Sequence, residues 1–408
     1  MKGGFFKSLP FKLLVGIIAG VVVGLTLGGY WFGGALASEG VMQVIVSIKN
    51  VVNQFIMFCV PLIIIGFIAP SITKLGSNAS RLLILALVLA YVSSLCAALM
   101  SMAGGYAIIP HLPIVASTEE AGLPVDIFAL EIPQIMPVMS ALVLALLLGL
   151  AATWTKSTVT MKLLEEIQQM VLTVVTKIII PILPVYIAFV FCGLGYNGTI
   201  AKQLPAFLGI IIIVLVGHFI WMAVLYAIAG IYSKKDPKEV FRHYGPAYLT
   251  AVGTMSSAAT LSVALECAHK SKVLRSDMVD FGIPLFANIH LCGSVLTEVF
   301  FCMAINVMLT GSLPSVGTMI LFCALLGIFA VGAPGVPGGT VMASLGIVTS
   351  VLGFGAEGTA LILAIFALQD SFGTACNVTG DGALTLILTG YCEKHNIKQQ
   401  DNLSVNLF

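Results

Sequence analysis

Apolar runs that are long enough to cross a lipid bilayer follow one another along most of the chain. A helix that spans the bilayer core needs about 20 mainly apolar residues. The first six runs are Leu13–Trp31, Val41–Ile72, Leu82–Ala107, Met136–Trp154, Leu163–Leu194 and Phe207–Tyr232. Charged residues make up only 9% of the chain, whereas soluble domains carry about 25%. The sequence therefore predicts an all-α polytopic membrane protein, and its formal net charge of +1 gives no reason to expect a nucleic-acid partner.

Basic residues indicate on which side of the membrane the loops lie. They flank the connections after the second, fourth and sixth runs, for example at Lys74, Arg81, Lys156 and Lys234. The loop Ile108–Gln134 between the third and fourth runs has four acidic residues and no basic one. Because cytoplasmic loops are enriched in lysine and arginine, we expect both termini in the cytoplasm. A compact chain without long loops also favours a bacterial protein of the cell inner (plasma) membrane.

Two later apolar segments are interrupted near their centres. Tyr248–Ala268 contains the polar stretch Gly253–Thr260 between basic flanks, and Ser315–Phe354 contains Gly332–Thr340 without basic flanks. Non-helical backbone at membrane depth persists only where protein or a water-filled cavity surrounds it. We therefore predict two re-entrant helical hairpins that enter from opposite sides, with a seventh spanning helix at Gly282–Leu309 between them. Paired interruptions of this kind indicate inverted repeats and the binding site of a transporter.

An eighth helix near the end of the chain carries a polar stripe. Asp370, Thr374, Asn377 and Asp381 follow one another at i, i+4, i+7 and i+11, so a helix places them on one face. A charged side chain at the centre of a bilayer costs about 2.5–3.5 kcal/mol on insertion scales. The sequence offers the two carboxylates no nearby intramembrane basic residue, and oxygen ligands suit a hard cation. The stripe is therefore the predicted functional site.

Three motifs resemble those of one transporter family. Met255–Leu261 is similar to the serine-rich tip of that family's first hairpin, Gly335–Thr340 is similar to the tip of its second, and Asn377–Asp381 matches its final-helix signature. On these residues the chain resembles the dicarboxylate/amino acid:cation symporter family, the glutamate-transporter fold, from its first helix to its last. The resemblance implies eight transmembrane helices plus two opposed re-entrant hairpins, a homotrimer and an elevator mechanism.

The resemblance also implies a static scaffold and a moving transport domain. Residues 1–78 would hold scaffold helices 1 and 2, and residues 111–200 would hold the outer loop and scaffold helices 4 and 5. Residues 79–110 would form transport-domain helix 3. Residues 201–408 would form the transport-domain core, which consists of helix 6, hairpin 1, helix 7, hairpin 2 and helix 8. The second hairpin would act as the extracellular gate.

Roles for individual residues follow from the same resemblance. The implied substrate-binding positions are Ser256, Ser257, Ser294, Val336, Pro337, Gly338, Asp370, Gly373, Thr374 and Asn377. The implied positions around the transported cation, sodium, are Phe286, Asn288, His290, Asn377 and Asp381. Asp370 would hold the ammonium group of the substrate. Ser256 and Ser257 would meet its carboxylate at a helix N-terminus, which favours anions.

Departures from the family pattern bear on the substrate. Members that carry acidic substrates have an arginine at the position of Gly373 or of Met255, and an acidic partner at that of Phe366. A buried substrate carboxylate without a cation would be costly. We therefore predict a small neutral amino acid (serine, threonine or alanine), as in the family's serine/threonine branch, and expect Gly373 to leave room beside it. The alternative is a dicarboxylate or an acidic amino acid, which Asp370 would repel.

The seventh helix departs from the family at the cation site. The family's Asn-Met-Asp-Gly-Thr is His290-Leu-Cys-Gly-Ser294 here, so cysteine, a poor sodium ligand, replaces an aspartate. We predict sodium coupling with fewer ions per substrate than in the acidic members. Proton coupling through His290, which titrates near neutral pH, and passive uniport stay open, as does an anion channel or a receptor without turnover. The sequence contains no nucleophile–base pair or catalytic metal motif, so we do not expect an enzyme.

Overall fold

The computed structural model describes residues 9–29, 38–76, 81–114, 123–333, 335 and 338–397. Within these ranges the regular elements are all helical. The first seven α-helices are α1 (Leu9–Leu27), α2 (Ser38–Gly76), α3 (Arg81–Ile108), α4 (Val138–Trp154), α5 (Thr158–Val174), α6 (Ile180–Tyr196) and α7 (Thr199–Ser233). The remaining ones are α8 (Pro237–Phe241), α9 (Gly245–Thr254), α10 (Ser257–His269), α11 (Ser276–Ile289), α12 (Cys292–Thr310), α13 (Val316–Gly332), α14 (Gly339–Val351) and α15 (Ala356–Lys394).

Several helical stretches are long and apolar enough to cross a membrane. In the described ranges there are five: Glu39–Pro70, Arg81–His111, Thr158–Tyr196, Ala206–Ser233 and Ser276–Thr310. The two parts of α15, which meet at an angle of 59°, make a sixth if they form one span. The first and fourth predicted spans are shorter apolar helices in the described residues. The structure confirms a helical protein with several apolar helices, whereas the count of eight spans stays a prediction.

Glycines bring α1 and α6 into close contact. Gly16, Gly20 and Gly24 are four residues apart and lie on one face of α1. A Cβ atom at Gly16 would lie 2.5 Å from the carbonyl oxygen of Pro184, and one at Gly20 would overlap that of Ala188. Helices in lipid gain little hydrophobic free energy by associating, so small residues that permit close backbone approach favour their packing. This contact explains why the first apolar run is rich in glycine.

A widened turn joins α5 to α6. Residues Val175–Ile179 are π-helical, and the N–H of Ile180 donates to the carbonyl of Val175. Pro181 lacks the N–H that a regular α-helix would direct to the carbonyl of Lys177. The missing donor explains the local change of hydrogen-bond pattern. Lys177 itself has an exposed side chain at this turn.

Three breaks between helices lie close to the predicted functional stripe. The helices α9 and α10 pack against each other, and Met255 and Ser256 separate them. The helices α13 and α14 also pack against each other, on either side of residues 333–338. His290 and Leu291 separate α11 from α12. The first two breaks coincide with the predicted hairpin tips, and the entry of these helix pairs into the membrane stays a prediction.

The last helix, α15, lies among other helices rather than at the surface. It packs against α7, α9, α11 and α12. The helix α12 is itself buried from Cys292 to Asn306, and it packs against α3 on another side. This arrangement places the polar stripe of α15 in the interior of the fold.

Candidate substrate and cation site

The polar stripe of α15 is buried. Asp370, Thr374, Asn377 and Asp381 are each at most 4% exposed. Buried polar groups require hydrogen-bond partners, and several of the partners found here come from α12 and from the start of α14. The helical spacing predicted from the sequence therefore places these four side chains on one interior face.

The carboxylate of Asp370 connects three helices. One oxygen, Oδ1, accepts a hydrogen bond from the hydroxyl of Ser294 at 3.1 Å. The other, Oδ2, accepts one from the backbone N–H of Gly338 at 3.0 Å. Gly338 has a φ of +71°, a conformation that favours glycine, and it directly precedes α14. Asp370 thus links α15 to α12 and to the second helix break.

Asn377 caps the N-terminus of α12 from the neighbouring helix. Its Oδ1 atom accepts hydrogen bonds from the backbone N–H groups of Gly293 at 2.7 Å and of Ser294 at 3.3 Å. Its Nδ2 atom donates to the hydroxyl of Ser294 at 2.9 Å. The first N–H groups of a helix have no partner within the helix, so an amide oxygen at this point satisfies two of them. Ser294 consequently bridges Asn377 and Asp370.

Gly373 is packed against α12. A Cβ atom at this position would lie 3.2 Å from both the backbone nitrogen and the Cα atom of Ser294, and 3.3 Å from its hydroxyl oxygen. The room that the sequence led us to expect beside Gly373 is therefore largely filled by Ser294. A side chain at position 373 would require α12 and α15 to move apart slightly.

The two predicted hairpin tips touch each other. The hydroxyl of Ser256 donates to the carbonyl of Gly335 at 2.7 Å, and the same hydroxyl accepts from the N–H of Ala259 at 3.2 Å. Ser256 is thus the N-cap of α10, and Ser257 beside it is buried. Val336 and Pro337, which the sequence also assigns to substrate binding, lie outside the described residues.

His290 lies between α3 and α15. Its Nδ1 atom is 2.9 Å from Oδ1 of Asp381, and its Nε2 atom is 2.8 Å from the hydroxyl of Ser93. Partners at both nitrogens fix the orientation of the ring. A Cβ atom at Gly380 would lie 3.0 Å from Cε1 of His290 and 3.5 Å from Sγ of Cys292. The thiol and the imidazole therefore both approach the helix turn that carries Asp381.

The other predicted cation residues differ in their surroundings. Phe286 is buried, and its carbonyl accepts the hydrogen bond from the N–H of His290 at 2.9 Å. Asn288 has an exposed side chain that donates to the carbonyl of Pro284 at 2.8 Å. The structure thus brings His290 together with Asp381 and leaves the side chain of Asn288 within its own helix.

Sequence reasoning missed His218 on α7. This side chain is fully buried, and its Nε2 atom lies 3.1 Å from the carbonyl of Gly293 and 2.8 Å from the hydroxyl of Thr297. An ionisable residue inside a membrane segment is by default a candidate functional residue, so its place in the sixth apolar run was a usable signal. Glu298 on α12 is also fully buried, and it accepts a hydrogen bond from the hydroxyl of Ser344 on α14; no pattern in the sequence indicates this contact.

Broken helices around a buried polar stripe define the class of this protein. Secondary transporters place discontinuous helices, with their free backbone groups, at the substrate and ion site. In the described part of the chain, the groups that hydrogen-bond Asp370 and Asp381 include no lysine or arginine. Among these partners the imidazole of His290, 2.9 Å from Asp381, is the one group that can carry a positive charge.

Comparison with known proteins identifies the family. The Sodium:dicarboxylate symporter family matches residues 9–391, and the chain belongs to this family. It is 28% identical to excitatory amino acid transporter 2 of Homo sapiens over 232 aligned residues. The aligned stretch covers 54% of this chain and 39% of that protein. It is also 28% identical to excitatory amino acid transporter 3 of Bos taurus over 274 aligned residues, a stretch that covers 66% of this chain and 51% of that protein. The matched part thus spans about half the length of these relatives, or less.

Family membership confirms the coarse predictions from the sequence. The protein belongs to a family of secondary transporters rather than of enzymes, and its several apolar helices are those of a multi-pass membrane protein. A transporter of this family carries a small solute together with an ion.

Proposed function

We propose that the protein is a sodium-coupled symporter of a small neutral amino acid, namely serine, threonine or alanine, and that it works by an elevator mechanism. The observation that carries this proposal is the buried cluster of Asp370, Ser294 and Asn377. One carboxylate suits the ammonium group of an amino acid. The helix α10 begins at Ser257, directly after its N-cap Ser256, and the positive end of the helix dipole there favours the α-carboxylate.

The surroundings of this cluster favour a neutral side chain on the substrate. The three positions that carry charge in acidic-substrate members are glycine, methionine and phenylalanine here, and Met255 and Phe366 are both at most 1% exposed. A second substrate carboxylate would lie near Asp370 without a compensating cation, which costs several kcal/mol in a buried site. This cost argues against the alternative of a dicarboxylate or an acidic amino acid.

Sodium is the proposed coupling ion, and Asp381 is its principal ligand. Oxygen ligands and a formal negative charge suit a hard cation. A neutral His290 that donates from Nδ1 leaves that negative charge in place. The neighbouring carbonyl groups of the α11–α12 break are the further oxygens that we assign to this ion.

Proton coupling is a second candidate that one observation favours. The imidazole of His290 lies within hydrogen-bond distance of Asp381 through Nδ1 and of Ser93 through Nε2. A protonated imidazole would therefore compensate the negative charge of the Asp381 carboxylate in place of sodium. Both candidates share the substrate site at Asp370, and they differ only in the ion that drives uptake.

The elevator mechanism is supported by how the helices group. The helix α1 packs mainly on α6, and α2 packs on α4 and α5, whereas α3, α7 and α9 to α13 pack mainly on one another or on α15. The helix α14 packs on α13 and α15 and also meets α2 and α4, so it lies between the two groups. This grouping supports the proposed division into a scaffold, residues 1–78 and 111–200, and a transport domain, residues 79–110 and 201–408. We further propose a homotrimer in the cell inner membrane with cytoplasmic termini.

Uptake of radiolabelled serine into proteoliposomes tests the proposal. An inward sodium gradient should drive uptake, and unlabelled threonine and alanine should block it, while aspartate and succinate should not. Uptake that responds only to an inward proton gradient would replace sodium by the proton. Competition by aspartate or succinate would refute the neutral-substrate proposal, and heat-inactivated protein in the same vesicles is the control for leakage.

A further inference from the structure

An apolar cavity lies away from the polar stripe, where four helices meet. Its volume is about 330 Å³, and α2, α3, α4 and α13 all contribute to its lining. Residues that line it include Ile72, Leu87, Tyr91, Leu146 and Val331. Its volume is at the small end of ligand pockets, which measure about 300–1,000 Å³.

The lining excludes a polar ligand. Within the described residues it consists of aliphatic side chains and Gly332, apart from Tyr91. The hydroxyl of Tyr91 donates to the carbonyl of Ala324 at 3.4 Å, so its polar end already has a partner. An amino acid zwitterion placed here would lose the hydration of both charges and gain no compensating partner. The cavity is therefore not a second substrate site, and only an uncharged, apolar ligand suits it.

The cavity reaches a surface that faces hydrocarbon. Val88 lines the cavity and is 52% exposed, and Ile84, one turn earlier on α3, is 54% exposed. The helices α2 and α3 both have the length and apolarity of membrane spans. Apolar side chains exposed on a membrane span contact lipid tails. The molecules that meet the opening of this cavity are therefore the hydrocarbon chains of lipids.

We propose that this cavity binds one hydrocarbon chain of a membrane lipid. An apolar cavity that stays empty lacks dispersion contacts on its inner walls, and a hydrocarbon chain restores them. The cavity lies between α2 and α4 on one side and α3 and α13 on the other, so the chain contacts both groups of helices. Gly332 ends α13 so close to α2 that a Cβ atom there would lie 3.2 Å from Cγ1 of Ile68.

Binding of the lipid chain does not depend on the proposed function. Only its consequence rests on the elevator proposal: a chain that contacts both helix groups would affect their relative movement. A test that detects the chain directly therefore separates this inference from the identity of the substrate and of the coupling ion.

Quenching of tryptophan fluorescence by brominated acyl chains provides this test. The full-length protein, with phenylalanine in place of its three native tryptophans, is reconstituted in phosphatidylcholine vesicles with or without brominated chains. Tyr91→Trp places the reporter in the cavity, and Ile84→Trp places it on the exposed face of α3. We expect brominated lipid to quench both reporters. Leu87→Trp is the second cavity reporter if Tyr91→Trp does not yield a monodisperse protein.

A matched pair of substitutions on α4 distinguishes the cavity from the outer surface. Leu146→Phe narrows the cavity from the α4 side, whereas Leu147→Phe adds the same volume at a neighbouring side chain that is 58% exposed. We expect Leu146→Phe to reduce the quenching of the cavity reporter and Leu147→Phe to leave it unchanged. Quenching of Ile84→Trp without quenching of the cavity reporter would overturn the proposal in favour of a dry or protein-covered void. Equal quenching in both α4 variants would also overturn it.

Discussion

His290 and Asp381 form a buried pair, with Nδ1 of the imidazole 2.9 Å from Oδ1 of the carboxylate and both side chains at most 1% exposed. The second ring nitrogen is held by Ser93. The imidazole therefore fixes one oxygen of Asp381. If the imidazole is neutral, the buried carboxylate still requires a positive charge nearby, and under the proposed function that charge is the coupled sodium.

Asp381→Asn should weaken sodium binding, because the amide keeps the shape of the side chain and loses its charge. A hydrogen bond or contact to a charged group is worth about 1.5–3 kcal/mol, which corresponds to a rise in the half-saturating sodium concentration of about 10- to 150-fold. Sodium titration of serine uptake measures this rise. Asp280→Asn, the same change at an exposed aspartate paired with His269, is the control, and unchanged ion dependence in Asp381→Asn would refute the sodium assignment.

Ser294→Ala should weaken substrate binding, because the hydroxyl of Ser294 donates a hydrogen bond to Asp370 and accepts one from Asn377. Loss of a hydrogen bond costs about 0.5–1.5 kcal/mol net, so the KM for serine should rise roughly 2- to 13-fold. Ser294→Thr keeps the hydroxyl and should restore the KM. Concentration-dependent uptake at saturating sodium provides the measurement, and a KM that is equal in all three proteins would contradict the role of this hydroxyl.

Gly373→Arg should shift the preference toward acidic substrates, because it supplies the cation that the site lacks. A Cβ atom at this position meets Ser294 at 3.2 Å, so part of the effect is steric. Gly373→Ala adds only the Cβ atom and is the matched control. We expect aspartate to inhibit serine uptake by Gly373→Arg and not by Gly373→Ala or the unaltered protein. Inhibition by aspartate in none of the three would mean that the missing arginine does not set the specificity.

The sequence predicted those parts of the site that depend on spacing within one helix. The stripe from Asp370 to Asp381 needs only helical periodicity, and the breaks at Met255–Ser256 and 333–338 fall within the glycine- and serine-rich interruptions. The long α2 likewise agrees with the second run, which exceeds one perpendicular span.

Contacts between distant helices could not be predicted in the same way. The contacts of His290 with Ser93 and of Asn377 with the N-terminus of α12 join residues that are 83 or more positions apart. Periodicity specifies which face of a helix is polar, but not which neighbour that face meets. The packing of Gly373 against Ser294 is the clearest case, because the sequence suggested open space there.

Acidification should lower the stability of the α8 region through Glu239, which lies outside the predicted spans. The N–H of Lys272, 3.1 Å from Oε1, and the guanidinium of Arg242 hold the pKa of this carboxyl below its usual value. A group whose pKa is lower in the folded state contributes stability above its unfolded pKa, and this contribution is lost as the pH falls. The thermal midpoint should therefore decrease below about pH 5.

Glu239→Gln tests this assignment. It should lower the thermal midpoint at neutral pH and make the midpoint less dependent on pH, whereas Glu165→Gln, the same change at an exposed glutamate, should do neither.

Gly20→Val should separate α1 from α6, because a Cβ atom at Gly20 overlaps the carbonyl of Ala188. Overpacking a close contact costs about 1–3 kcal/mol, so the thermal midpoint of the purified protein should fall. Gly209→Val makes the same change in α7, where a Cβ atom meets no other atom within 4 Å, and it controls for the helix propensity of valine. Fluorescence-detected size exclusion after heating compares the two. If both variants lose the same stability, the loss comes from helix propensity, and close backbone approach is not what holds α1 against α6.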